Sequence, residues 1–369
     1  MSALDVIRAR IRTSGAITLA EFMEIALYHP EHGYYAGAPQ RSGRAGDFFT
    51  SVDVGPLFGE MLAAQFVEMH DRLAGAAVFD LVEVGAGNGR LTADVLDALA
   101  SHHPATYQAS RAWLVERSAS ARRAQADVLE PHRSRIAGSS DALPQNVSGV
   151  IFANELLDAF PAHAVVTRGG RLREVFIADQ GGRLVEIEGE PSVPELATHF
   201  ERVGAALPEG VRAEISPGQR QWVVSAANAL QRGFLMLVDY GHRAAQLYST
   251  LHAGGTLMAY RSHTAGTVDP LADPGRSDLT THVDLTAIER AAEEAGLTVL
   301  GAVDQTYFLT ALGIMNRLAG GSDRMALSRR LAAKTLIMPG GLGSTMKVMV
   351  FSKGVECRTL QGLSAGRLT

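Results

Sequence analysis

The sequence predicts an α/β protein built on a Rossmann-like sheet, with a helical N-terminal extension and a β-hairpin insertion in its middle. Three observations carry this. The stretch Phe79–Leu96, FDLVEVGAGNGRLTADVL, runs from an apolar strand through glycines at every second position into a helix-compatible segment. A second strand, RAWLVE, follows at a βαβ interval and ends in Glu116. Further apolar runs at 150–153 and 233–240 alternate with helical text, as a parallel sheet requires.

In chain order, residues 4–28 read as helical. Leu4, Ile7 and Ile11 keep helical spacing, Thr18 and Glu21 have capping-box spacing, and Pro30 stops the segment. Residues 29–50 mix Gly, Pro, Arg and aromatics without periodicity, and such a long loop in a compact enzyme makes 29–51 an expected ordered lid. Pro56 suits the first turn of a helix from about 57 to 73. The core is expected over about 78–166, with a third strand near 134–137 and a fourth at 150–153. That fourth strand ends in Asn154, Glu155 and Asp158, polar groups placed to face a ligand at the carboxyl edge of the sheet.

From 165 to 193 two Gly-Gly pairs punctuate alternating strands, which reads as hairpins. A helix is expected at 216–232 with Trp222 inward, then a fifth strand at 233–240 with Asp239, Tyr240, Gly241 and His242 at its end. A helix at 284–296 and a strand pair at 298–309 and 346–353 close the sheet. The expected domains are an N-terminal helical region and lid at 1–75, a core at 76–166 and 233–353, and an inserted hairpin and helix region at 167–232.

Composition narrows the function. Of the 369 residues, 46% are hydrophobic and 20% charged, as in ordinary globular enzymes. A net charge of −5 argues against general nucleic-acid binding, which needs a basic surface. One cysteine, Cys357, excludes an internal disulfide and a cysteine-based zinc site. No apolar run is long enough to span a membrane, and the N-terminus has no secretory apolar region, so a cytoplasmic protein is expected.

The glycine turn reads as a cradle, because glycine allows positive φ and close approach of backbone to ligand. A dinucleotide fingerprint needs a small third residue where this chain has Arg90, which disfavours an NAD-dependent oxidoreductase. The pattern with Glu83 ahead of Gly85, Gly87 and Gly89 instead resembles motif I of class I S-adenosylmethionine (SAM) methyltransferases. SAM has no phosphate to anchor, and a carboxylate near the turn suits its charged methionine end. Glu116, at the tip of the second strand, is placed to accept hydrogen bonds from ribose hydroxyls.

With the segments laid out, the chain resembles the MidA-like class I methyltransferases from about residue 16 to 351. These include bacterial proteins and a mitochondrial complex I assembly factor that is a protein arginine methyltransferase. The resemblance rests on YHPEHGYY, GDFFTS with VGPLFGE, EVGAGNG, ANELLDAFPAH, LVDYGH, TLMAYRSH and DLTTHVDLTAI. The chain departs from the usual text at GAGNGR, where many relatives have a proline at the second position. It departs again at Leu156–Leu157, where aromatics are common.

The resemblance implies a SAM-dependent methyltransferase acting on a protein arginine, with a complex I subunit as partner. Glu83, Gly85, Gly87 and Gly89 would shape the SAM site and Glu116 would bind the ribose. The GDFFTS loop, with Asp47, Phe48 and Thr50, would lie over the cofactor, and Asn154 and Glu155 would face the methyl group. Chemistry agrees, since methyl transfer depends on positioning and a carboxylate pair such as Glu155 and Asp158, with Asp47 as helper, would hold a guanidinium by bidentate hydrogen bonds. Asp158 also fits a helix first-turn acid. For His242, His263 and His282 local hydrogen bonds are preferred to a metal site, because no paired spacing supports one. An assembly chaperone that keeps the fold without turnover is the non-enzymatic alternative.

Overall fold

The computed structural model describes residues 1–36, 50–261, 264–265, 269–318, 324–338 and 341–364. The central sheet contains β1 (Phe79–Val84), β2 (Ser110–Val115), β3 (Ile136–Ser140), β4 (Val147–Asn154), β5 (Leu230–His242), β6 (Thr298–Asp304) and β7 (Met346–Lys353). Their order is β3-β2-β1-β4-β5-β7-β6, and the short strand Val283–Asp284 adds to the end of β5. Strands β3 through β5 are parallel; β7 runs antiparallel to both β5 and β6. Every residue of β1 is buried, as expected of a central strand covered on both faces. The chain order reverses between β1 and β4, and that switch point is where such sheets bind ligands.

Of the helices, α1 (Ala3–Ser14) and α2 (Leu19–Tyr28) precede the sheet, and α3 (Leu57–Arg72) and α4 (Arg90–His102) pack on one of its faces. Helices Pro217–Ala229 and Leu285–Glu294 cover the other face. Thr18 caps α2 by accepting from the Glu21 amide, but the Glu21 carboxylate goes to Arg10, so only half of the expected capping box forms.

The region 163–215 folds as the hairpins its Gly-Gly pairs predict. His163–Arg168, Arg171–Gln180 and Arg183–Gly189 are joined at Gly169–Gly170 and Gly181–Gly182, all four with positive φ. Ile17–Thr18 pairs with Arg171–Gln180, so the N-terminal helices and the inserted strands share one apolar cluster around Phe22, Leu27 and Ile177.

Two expected elements differ. The third strand lies at Ile136–Ser140, after a 3₁₀ segment Glu130–Arg135; it is a largely exposed edge strand with little apolar text to mark it. The strand expected at 298–309 ends at Asp304, where helix Gln305–Ala311 begins. Among the described residues no helix is long and apolar enough to cross a membrane.

Candidate active site

A cavity of about 960 Å³ opens at the carboxyl ends of β1, β2 and β4. Its floor is the turn after β1. The Gly85 and Ala86 amides both donate to the Val115 carbonyl, at 2.9 and 3.2 Å, which ties the turn to β2. Gly87 has φ +52°, and a Cβ there would meet nothing within 4 Å, so its backbone faces open space where a ligand approaches. Gly89 begins α4 at φ +84°; a Cβ would press within 3.0 Å of Leu114 and Leu129.

The acids of the turn are held by backbone. Glu83 Oε2 accepts from the Thr92 amide at 3.0 Å and from the Thr92 hydroxyl, so it caps α4 from the strand. Burial pushes its carboxyl up to about 8, against the pull of those two bonds. Glu116 joins two loops: Oε2 accepts from Gly87 N at 2.8 Å and Oε1 from Ser118 N at 2.7 Å. A carboxylate oxygen has two lone pairs, so each keeps capacity for a ribose hydroxyl. Arg90 pairs with Asp53 instead of awaiting a phosphate.

Opposite the turn stands the segment after β4. Glu155 has φ +53°, one of only three non-glycine residues with positive φ among those described. Its amide donates to Val238 O at 2.8 Å, and its Oε1 accepts from Asn154 Nδ2 at 3.0 Å and Ser51 N at 3.3 Å. Burial above all, with the charge of Asp239 added, pushes the Glu155 carboxyl up to about 8. Asn154 Oδ1 is buried and has no hydrogen-bond partner. Both side chains line the cavity, with Tyr28, Tyr35, Phe160 and Trp222 around them.

Asp158 does not face the site as expected. The left-handed turn at Glu155 carries the chain inward, leaving Asp158 5% exposed and off the cavity wall. Burial and the charges of Asp239 and Asp278 hold it well above the usual carboxylate range. Thr50 is on the wall, its hydroxyl donating to Asp53 Oδ2 at 2.9 Å. Asp47 and Phe48, most of the lid read at 29–51, and His263 lie outside the described residues. His242 packs against His252 and His282, with ring centroids 4.8 and 5.1 Å away.

Four contributors had no role assigned from the sequence. The amide of the buried Ser51 donates to Glu155 Oε1, and Asp239 receives the amides of Leu156 and Leu157. Tyr28 donates to Ala159 O at 2.9 Å beneath the Arg117 guanidinium, and Tyr35 donates to Asp278 Oδ1 at 2.7 Å. Asp239 was visible as a strand-end acid; the tyrosines carried no signal beyond aromatic text in YHPEHGYY.

This strand order, with a Gly-rich turn after β1, acids at the tips of β1 and β2, and a cavity at the switch point, defines a class I methyltransferase. The sequence profile of the family described as "Putative S-adenosyl-L-methionine-dependent methyltransferase" matches residues 61–303, and the chain belongs to that family. It is 29% identical to the protein arginine methyltransferase NDUFAF7 homolog, mitochondrial, of Drosophila melanogaster, over 82% of this chain and 73% of the relative. Its likeness to the Caenorhabditis elegans protein of the same name is 29%, over 94% and 85%. A protein of Burkholderia thailandensis crystallised with S-adenosyl-homocysteine superposes with a TM-score of 0.89 at 31% identity, covering 99% of this chain and 95% of that one. The enzyme is thus a methyltransferase and its cofactor is SAM. The open face of Gly87 and the remaining lone pairs of Glu116 fit that molecule.

Proposed function

We propose that this methyltransferase acts on arginine in a protein, with Glu155 and Asn154 as the residues that hold the guanidinium. The observation that carries the reading is the Glu155 carboxylate on the cavity wall with a second acceptor beside it, the buried and partnerless Asn154 Oδ1. A guanidinium is a planar fork of five donors that stays protonated, so two neighbouring acceptors are its natural counterpart. Glycine would adopt the left-handed turn at lower cost, so a glutamate there points to use of its carboxylate. The relatives named protein arginine methyltransferase support the same acceptor.

SAM supplies an electrophilic methyl on a sulfonium. Glu83 serves the methionine end, and Glu116 adds ribose hydroxyls to the two amides it already receives. Glu155 and Asn154 aim the attacking nitrogen, which is the larger part of catalysis by positioning. As the N–CH3 bond forms and the S–CH3 bond breaks, the nitrogen sheds a proton, which Glu155 Oε2 takes. Its raised carboxyl value suits a base at neutral to mildly alkaline pH. Asp158, off the cavity wall and held well above the usual carboxylate range, makes no contact with the acceptor. A complex I subunit is the acceptor the family resemblance implies. A cytoplasmic location is proposed for this chain; the animal relatives are named mitochondrial.

The test is transfer of labelled methyl from SAM to arginine-containing and lysine-containing proteins, followed by mapping of the modified residue. Label on arginine, lost in Glu155→Gln with SAM affinity kept, is the expected result. Label confined to lysine or to a small molecule overturns the reading.

A further inference from the structure

We propose that Asp239 is the positioning residue of this site, locking the left-handed turn at Glu155 from the end of β5 so that its carboxylate stands in the cavity. The proposal rests on the arginine reading for the role of Glu155, but not for the geometry.

Three successive amides after β4 are gathered by two successive residues of β5. Glu155 N donates to Val238 O at 2.8 Å, Leu156 N to Asp239 Oδ2 at 3.1 Å, and Leu157 N to the same oxygen at 2.7 Å. The other oxygen, Oδ1, accepts from Tyr240 N at 2.9 Å, so the carboxylate is itself held fast. Asp239 is 5% exposed, and removing it would strand two amides, one of them buried, without a partner. A left-handed backbone is strained for a non-glycine residue, and this clamp is what offsets the cost. From below, Gln219 Nε2 donates to Leu157 O at 2.7 Å and Thr281 N to Asp158 O at 2.9 Å, closing the turn on its second side. The register of β4 and β5, with Asn154 opposite Val238, brings the clamp to the turn.

Two effects of Asp239 on Glu155 can be separated. Its charge raises the Glu155 carboxyl, as does that of Asp53, and Asp158 and the hydroxyls of Tyr240 and Tyr260 are nearby groups. Burial, which is larger, raises it only while the turn holds the side chain in place. Loss of the charge alone moves the titration down by about one pH unit. Loss of position moves it most of the way to an ordinary glutamate, about 4.3.

The experiment uses the full chain with ¹³C-labelled glutamate, the Glu155 resonance being assigned with Glu155→Gln, and needs no methyl acceptor. In the wild type we expect a midpoint near 8; in Asp239→Ala, which removes the acceptor of both amides, we expect it to fall below about 5.5, with SAM affinity unchanged by calorimetry, whereas Asp239→Asn keeps an acceptor oxygen and should lower it by only about one pH unit. A midpoint that stays above about 6.5 in Asp239→Ala overturns positioning and leaves only the charge effect. Where an acceptor is in hand, kcat should fall at least about thirtyfold with KM within about threefold; unchanged kcat overturns the proposal. If Asp239→Ala does not fold, Asp239→Ser is read in the same way. Amide exchange at Leu156 and Leu157 in the wild type is a further check, and rapid exchange there would show that no clamp exists. Failure of the arginine reading shows itself elsewhere, as label on another acceptor with the Glu155 titration still dependent on Asp239.

Discussion

At the scale of single residues, the site is set by how carboxylates are held. Glu116 is committed to the Gly87 and Ser118 amides, so its replacement by alanine both loosens the turn and removes the ribose acceptor. Glu116→Ala should weaken SAM binding by about 1.5–3 kcal/mol, measured by calorimetry, as for hydrogen bonds to charged groups. Glu155 follows pH. Its ionised form is the base, and its carboxyl is raised to about 8, so kcat/KM of the free enzyme should climb roughly tenfold per pH unit until about pH 8 and then level. The same shift has a stability consequence. A carboxyl raised on folding is favoured protonated in the native state, so ionising it removes stability as pH rises from the unfolded value of about 4.3 toward 8. Glu155→Gln should therefore melt above the wild type near pH 9 and match it near pH 5. A variant no more stable at pH 9 would show that Glu155 is not held in a destabilised ionic form.

At the scale of elements, the strand–turn–helix from β1 to α4 is the unit that binds. Its three glycines differ in purpose: Gly89 lacks room for a side chain, whereas Gly87 has room and needs it left open. Gly87→Val should cost the fold only about 1–2 kcal/mol for the left-handed backbone. It should weaken SAM binding about a hundredfold or more, near 3 kcal/mol. Calorimetry on the folded variant checks this, and unchanged affinity would remove the turn from the cofactor site. This unit was legible in the sequence because glycine spacing, strand burial and helix start are all local. The helix Gln305–Ala311 was not, because no glycine or proline breaks the text from 302 to 311 and Asp304, its N-cap, is equally at home at a strand end.

At the scale of the whole molecule, the antiparallel pair β6–β7 closes the sheet through a buried charge pair. Lys347 Nζ donates to Asp304 Oδ1 at 2.6 Å and to Ser344 O at 2.7 Å, with both charged side chains only 2% exposed. Lys347→Met leaves the Asp304 charge buried without its cation, and urea unfolding should show a loss of about 3–5 kcal/mol. Adding Asp304→Asn to that variant should restore much of the loss, because the uncompensated charge and not the absent bond dominates. On the other side of the molecule, α2 reaches the cavity only because Ile17–Thr18 is paired to the inserted hairpin, which brings Tyr28 to the site wall beneath Arg117.

The sequence by itself determined what short-range physics encodes. That covers the class of sheet, the Gly-rich turn, the acids at the tips of β1 and β2, the Gly-Gly hairpins and the polar end of β4. Each depends on neighbours within a few residues, through burial periodicity or positive φ. Tertiary structure alone decided that Asp158 is buried while Glu155 faces the cavity, since that rests on one left-handed residue in a sequence without a glycine. It alone brought Asp239 to amides 82 and 83 residues earlier and Ser51 to Glu155 across 104. Those contacts form because parallel pairing sets β5 beside β4, and no local pattern of side chains records which distant backbone a strand-end carboxylate will receive.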